Sequence, residues 1–177
     1  MIPLPHVHTL GDYRNAIEAH AEYPGAGTGT DTARIQVTLG LFNCMVGDIS
    51  EHYAAAAAAG GTFTPELLDA LQDEMGTALF HITRSVVEFG TASAGLLWGQ
   101  DLSEMHKPVH IDSPAHAWMS VPRAVVQTDF SKLHDAQLLL RALAYAAARH
   151  GWTLQDLAWT NLRRLIARQG VLAGAAL

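Results

Sequence analysis

Five residues in the stretch DEMGTALFHITRSVVEFG (73–90) stand three or four apart: Glu74, Thr77, His81, Arg84 and Glu88. That is the spacing of one helix face. Upstream, Asp48 and Glu51 form a carboxylate pair three residues apart. Two facing helices that each carry such a pair would bring hard oxygen ligands into one groove, the coordination that Mg²⁺ prefers. A cation held there neutralises developing charge and activates an attacking water. The stripe also has a plainer reading, as a solvated face with Glu74 near His81, or Arg84 near Glu88, loosely paired. Spacing leaves both readings open. Glu66 and Asp69 repeat the spacing, but they fall in a first helical turn, where the helix dipole favours acids without any site.

Other chemistries find less support. Among the ten histidines, His6 and His8 form an HxH, and His106, His110 and His116 lie in HKPVHIDSPAH. A histidine-bound transition metal is therefore a third reading, but HExxH is absent and Cys44 is the single cysteine, so Cys-rich zinc sites are excluded. No GxSxG surrounds any serine, and GAGTGTDTA lacks the lysine and preceding strand of a phosphate-binding loop, so it reads as a flexible connector. A formal charge of −6 argues against nucleic acid as a partner. No apolar run reaches ~18 residues, so no membrane span is expected. One cysteine and no basic, apolar leader at the start fit a cytoplasmic protein.

The elements that must position these residues are helical. With 49% hydrophobic and 16% charged residues, the 177-residue chain suits one domain, 1–177, with a real core. A short helix starts near Thr9–Asp12 and runs to about Tyr23, before Pro24. A long helix follows the connector, with a seam of Ile35, Leu39, Phe42, Val46, Ile49 and Tyr53, and stops at Gly60-Gly61. Thr64-Pro65-Glu66 restarts a helix, with a capping hydroxyl and proline at the first helical position. Its seam is Leu68, Leu71, Met75, Ala78, Ile82, Val86 and Phe89. From about 91 to 133 the pattern breaks into an irregular insertion, with a short strand at AVVQT (124–128). Helices resume over about 134–150, and Thr153 to Asp156 forms a capping box for a last helix ending near Gln169. The expected fold class is an all-α bundle with one irregular insertion.

In that order of elements the chain resembles the MazG-like, all-α nucleoside triphosphate pyrophosphohydrolases. DYRNAIEAHAEYPG is similar to the family's opening helix, LGLFNCMVGDISEHY to its LGLxxExGELxE segment, DEMGTALFHI to EELGDVLWYL, and GWTLQDLAWTNLRRL to its closing GLSLEEVAEANLAKL. The four blocks stand in family order and cover most of the chain outside 91–133. The resemblance implies hydrolysis of a nucleoside triphosphate to monophosphate and pyrophosphate, with Mg²⁺ (or Mn²⁺ in its place) held by an ExxE and an ExxD pair. Carried over by position, those pairs fall on Met45 and Asp48, and on Glu74 and Thr77, so two of four carboxylates are absent. Asp48, Glu51 and Glu74 are the remaining metal candidates, Glu51 and Glu74 also the catalytic ones. Asn161 and Arg164 match the Asn and Lys of NLAK and would contact the nucleotide. The resemblance and the long apolar seams together imply a homodimer or homotetramer. The alternative is a weakened or inactive homologue that binds nucleotide or serves as an oligomeric scaffold or regulator.

Overall fold

The computed structural model describes residues 6–105, 125 and 128–175. Its helices are α1 (Leu10–Glu18), α2 (Asp31–Phe42), α3 (Ile49–Ala58), α4 (Pro65–Glu88), α5 (Gly95–Trp98), α6 (Leu133–Ala148) and α7 (Leu154–Ala175), with a π-helical segment, Asn43–Asp48, between α2 and α3. No strand occurs among the described residues, so the fold is all-α. An isolated antiparallel bridge joins Thr9 and Asp101. No helix among them is long and apolar enough to cross a membrane.

Local chemistry accounts for the helix starts. Thr9 and Asp12 cap α1 reciprocally. The hydroxyl of Thr64 accepts from the Leu67 N–H, with Pro65 opening α4. The Thr153 side chain accepts from the Asp156 backbone N–H at 3.1 Å and the Asp156 side chain from the Thr153 N–H at 2.8 Å, which is the capping box read in the sequence. α1 stops at Glu18, earlier than its periodicity suggests. The chain then turns over His20–Glu22 and delivers Tyr23 to α4.

At 24 residues, α4 is the spine of the bundle, packed against α1, α2, α3, α6 and α7. Its seam is as expected through Leu71, Met75, Ala78, Ile82 and Val86, all buried. Two glycines allow close approach. A Cβ on Gly76 would sit 2.9 Å from the Leu157 carbonyl oxygen on α7, and one on Gly40 would sit 2.2 Å from His81 Cε1.

The seam of the second helix differs from its expectation. Ile35, Leu39 and Phe42 are 56%, 52% and 44% exposed, whereas Ala33, Val37, Leu41, Cys44 and Met45 are buried with Ile49 and Tyr53. The reason is the π-helical segment. The Ile49 N–H bonds to the Cys44 carbonyl, five residues back rather than four. A 3.6-residue period traced back from Ile49 and Tyr53 therefore lands one residue out of phase in α2.

Part of the region 91–133 is ordered by backbone bonds rather than by periodicity. Leu10 N–H donates to the Gln100 carbonyl and Leu102 N–H to the His8 carbonyl, tying the segment after α5 to the start of α1. Residues 124, 126 and 127 of the expected AVVQT strand, and His106, His110, His116 and Trp118, lie outside the described residues.

Candidate functional site

The polar stripe on α4 is not a solvated face. Its C-terminal half is buried: the Arg84 and Glu88 side chains have no exposed area, and Arg84 Nη2 meets Glu88 Oε1 at 2.9 Å. Arg84 Nη1 reaches Glu18 Oε2 at 3.1 Å, and Nε donates to the Tyr23 hydroxyl at 2.9 Å. Tyr23 in turn donates to Glu88 Oε1. Glu88 also accepts the backbone N–H groups of Gly27 (2.7 Å) and Gly29 (3.0 Å). The GAGTGT stretch read as a flexible connector is therefore clasped to α4. Gly27 and Gly29 hold φ of +77° and +64°, which glycine adopts at no steric cost. Burial pushes the Glu88 carboxyl up, but hydrogen bonds from Tyr23, Gly27, Gly29 and Arg84 outweigh it and hold the group below its usual range. Burial and the Glu88 hydrogen bond push the Tyr23 hydroxyl up to about 12, so it remains a donor.

The N-terminal half of the stripe adjoins the expected metal pairs. Met45, which the resemblance sets in the place of an acid, is fully buried. Asp48 and Glu51 are exposed. Glu74 Oε1 is engaged by Arg164 Nη1 at 3.3 Å, and the same nitrogen donates to Thr77 Oγ1 at 3.2 Å. Thr77 donates back to the Asp73 carbonyl. The Cys44 thiol donates to the Glu74 carbonyl at 3.0 Å. Burial raises its pKa, and the charges of Glu74 and Asp48 raise it further, so it stays a neutral thiol. Among the described residues no three His, Cys, Asp or Glu side chains group as a metal site. The expected donor set does not fit Mg²⁺ or Mn²⁺ in the chain as folded: one acid position is a buried methionine, and the acid on α4 already has a guanidinium for a partner.

A cavity of about 300 Å³ opens beside this pair, between the turn after α1, the middle of α4 and the second half of α7. Arg164, Arg168 and Asn161 line it from α7, Phe80 and His81 from α4, and His20 from the turn. Asn161 is buried on the apolar stripe of α7, and its amide oxygen accepts from the Tyr13 hydroxyl at 2.8 Å. Its polar partner is thus a tyrosine of α1, which leaves its NH₂ as the group it can offer the cavity. The Nδ1 atoms of His20 and His81 are buried without a hydrogen-bond partner among the described residues. Desolvation lowers the His81 pKa from 6.5 to about 4, so its ring is neutral.

Arg168, His20 and Phe80 were not among the site residues read from sequence. Arg168 follows Arg164 by one helical turn, a signal present in RRLIAR. The parts played by His20 and Tyr23 depend on where α1 stops, which periodicity places several residues too late. No protein-family model, curated protein or solved structure matches this chain.

Proposed function

We propose that the chain is a MazG-like helical protein that binds a nucleotide in the cavity between α4 and α7, without metal-dependent turnover by this chain as folded. The observation that carries this reading is Arg164. The resemblance gives it to the substrate phosphates, and it lines a cavity with a second arginine and an aromatic wall while holding Glu74, the acid that would otherwise bind metal. A cavity of this size is at the low end for small-molecule sites. Hydrolysis of a nucleoside triphosphate to monophosphate and pyrophosphate with Mg²⁺ or Mn²⁺ is the second reading. It is favoured by the four blocks in family order and by Asp48 and Glu51, both exposed and three residues apart. Association into a homodimer or homotetramer is supported by the exposed Ile35, Leu39 and Phe42 stripe on α2.

The test is calorimetry against a panel of nucleoside triphosphates, with and without Mg²⁺ or Mn²⁺, followed by product identification. Binding without release of pyrophosphate is expected. Pyrophosphate release that disappears in both Asp48→Ala and Glu74→Ala would establish the hydrolytic reading instead. Absence of binding under every condition would remove the nucleotide reading.

A further inference from the structure

We propose that the cavity is a metal-independent anion site in which Arg164 and Arg168 take the phosphate of a small phosphate monoester, and that Glu74 is its built-in competitor rather than a metal ligand. The inference rests on the nucleotide reading only for the body of the ligand; the sign of the Glu74 effect does not depend on it.

Arg164 and Arg168 are four residues apart on α7, so both guanidinium groups reach the same face, and both line the cavity. The acid on that lining is Glu22, which is exposed, and Glu74 balances Arg164 beside it, so removing the Glu74 charge leaves the wall net positive. Neutral His81 adds none. Arg164 already binds one anion, the Glu74 carboxylate, at 3.3 Å, longer than the 2.7–2.9 Å typical of charge-assisted bonds. The two side chains keep 31% and 20% of their exposure. Of the five guanidinium donors, those on Nη1 are the ones engaged among the described residues. Such a loosely held, half-buried pair exchanges readily for a ligand oxygen that reaches Arg164 and Arg168 together. Phe80 and Leu165 supply the apolar surface for the body of the ligand.

The experiment is calorimetry in excess EDTA with adenosine 5′-monophosphate and, separately, inorganic phosphate. The proteins are the wild type, Glu74→Gln, Arg164→Gln and Arg168→Gln, each checked for unchanged helix content. Glu74→Gln should tighten binding about fivefold by removing the competing charge. Arg164→Gln and Arg168→Gln should each weaken it tenfold or more. Exposed Arg168 keeps the test decisive if Arg164→Gln folds poorly. Weaker or unchanged binding by Glu74→Gln overturns the inference, as does no binding of either probe by wild type and Glu74→Gln. Triphosphate binding that needs Mn²⁺ and is lost in Glu74→Gln overturns it while leaving the nucleotide reading intact. Phosphate bound in EDTA, with no nucleotide bound under any condition, upholds the anion site and removes the nucleotide reading.

Discussion

Replacing Arg84 by methionine should be among the most damaging single changes in the protein. The guanidinium has no exposed area and faces three partners of unequal weight. Glu18 is 59% exposed, and an ion pair so open to water contributes at most ~1 kcal/mol. Glu88 is different: its side chain has no exposed area and cannot regain water when Arg84 leaves. Breaking a buried pair by removing one member costs about 3–5 kcal/mol, because the remaining charge stays uncompensated. Hydrogen bonds from Gly27, Gly29 and Tyr23 moderate this, which favours the lower end. Each kcal/mol shifts the melting temperature by about 2–4 °C in a chain of this size, so a fall of roughly 6–12 °C is expected. Urea unfolding of the wild type, Arg84→Met, Glu88→Gln and the double variant measures this directly. The double variant should be less damaged than the sum of the singles, because neither charge is then stranded. Glu18→Gln, the internal control, should lose under about 1 kcal/mol. A loss below ~1 kcal/mol for Arg84→Met, or additive singles, would refute the buried pair and return the stripe to a solvated face.

Three further outcomes follow from single contacts. Gly40→Ala should destabilise by about 1–3 kcal/mol, since the new Cβ would stand 2.2 Å from His81 Cε1; Gly40→Ala/His81→Ala should recover part of that loss by urea titration, and no recovery would locate the strain elsewhere. The lowered pKa of His81 means that protonation favours the unfolded chain, so stability is full above about pH 6.5 and falls as pH drops toward 4. Between pH 7.5 and 5 the loss from His81 should be about 2 kcal/mol, with His150 adding in the same direction; a urea midpoint no less pH-sensitive in His81→Gln would count against it. Leu39→Asp, on the exposed α2 stripe, should give a monomer by light scattering with its melting temperature little changed; a wild type that is already monomeric at high concentration would end the case for association through α2.

How much of this was legible beforehand depended on whether a residue's role was local. Caps need only residues three apart, so Thr64 and the Thr153–Asp156 box could be read directly. The α4 seam could also be read, because α4 is regular from Pro65 to Glu88. The α2 seam could not. The five-residue step from Cys44 to Ile49 leaves no distinct residue signature, yet it moves Ile35 and Leu39 from core to surface. The GAGTGT stretch has the composition of a linker. What fixes it is Glu88, some sixty residues away, and no local rule couples the two. In the candidate site, Arg164 and Glu74 were both named from the sequence. That they neutralise each other across α4 and α7 depends on the helix crossing at Gly76, a tertiary fact.

The same contact bears on the two chemistries first posed by the stripe. A carboxylate that serves a cation must face other oxygens, whereas one that serves a guanidinium must not. Glu74 has Arg164 at 3.3 Å, a thiol donating to its own carbonyl, and beside it Thr77 spending its hydroxyl proton on the Asp73 carbonyl. Met45 and Cys44 fill the facing wall with atoms that suit apolar packing. A half-buried carboxylate is best stabilised by a positive side chain, and Arg164 on the neighbouring helix supplies it. The arginine is thereby held at the rim of the cavity through two contacts of Nη1, to Glu74 at 3.3 Å and to Thr77 at 3.2 Å, which the proposed phosphate would displace.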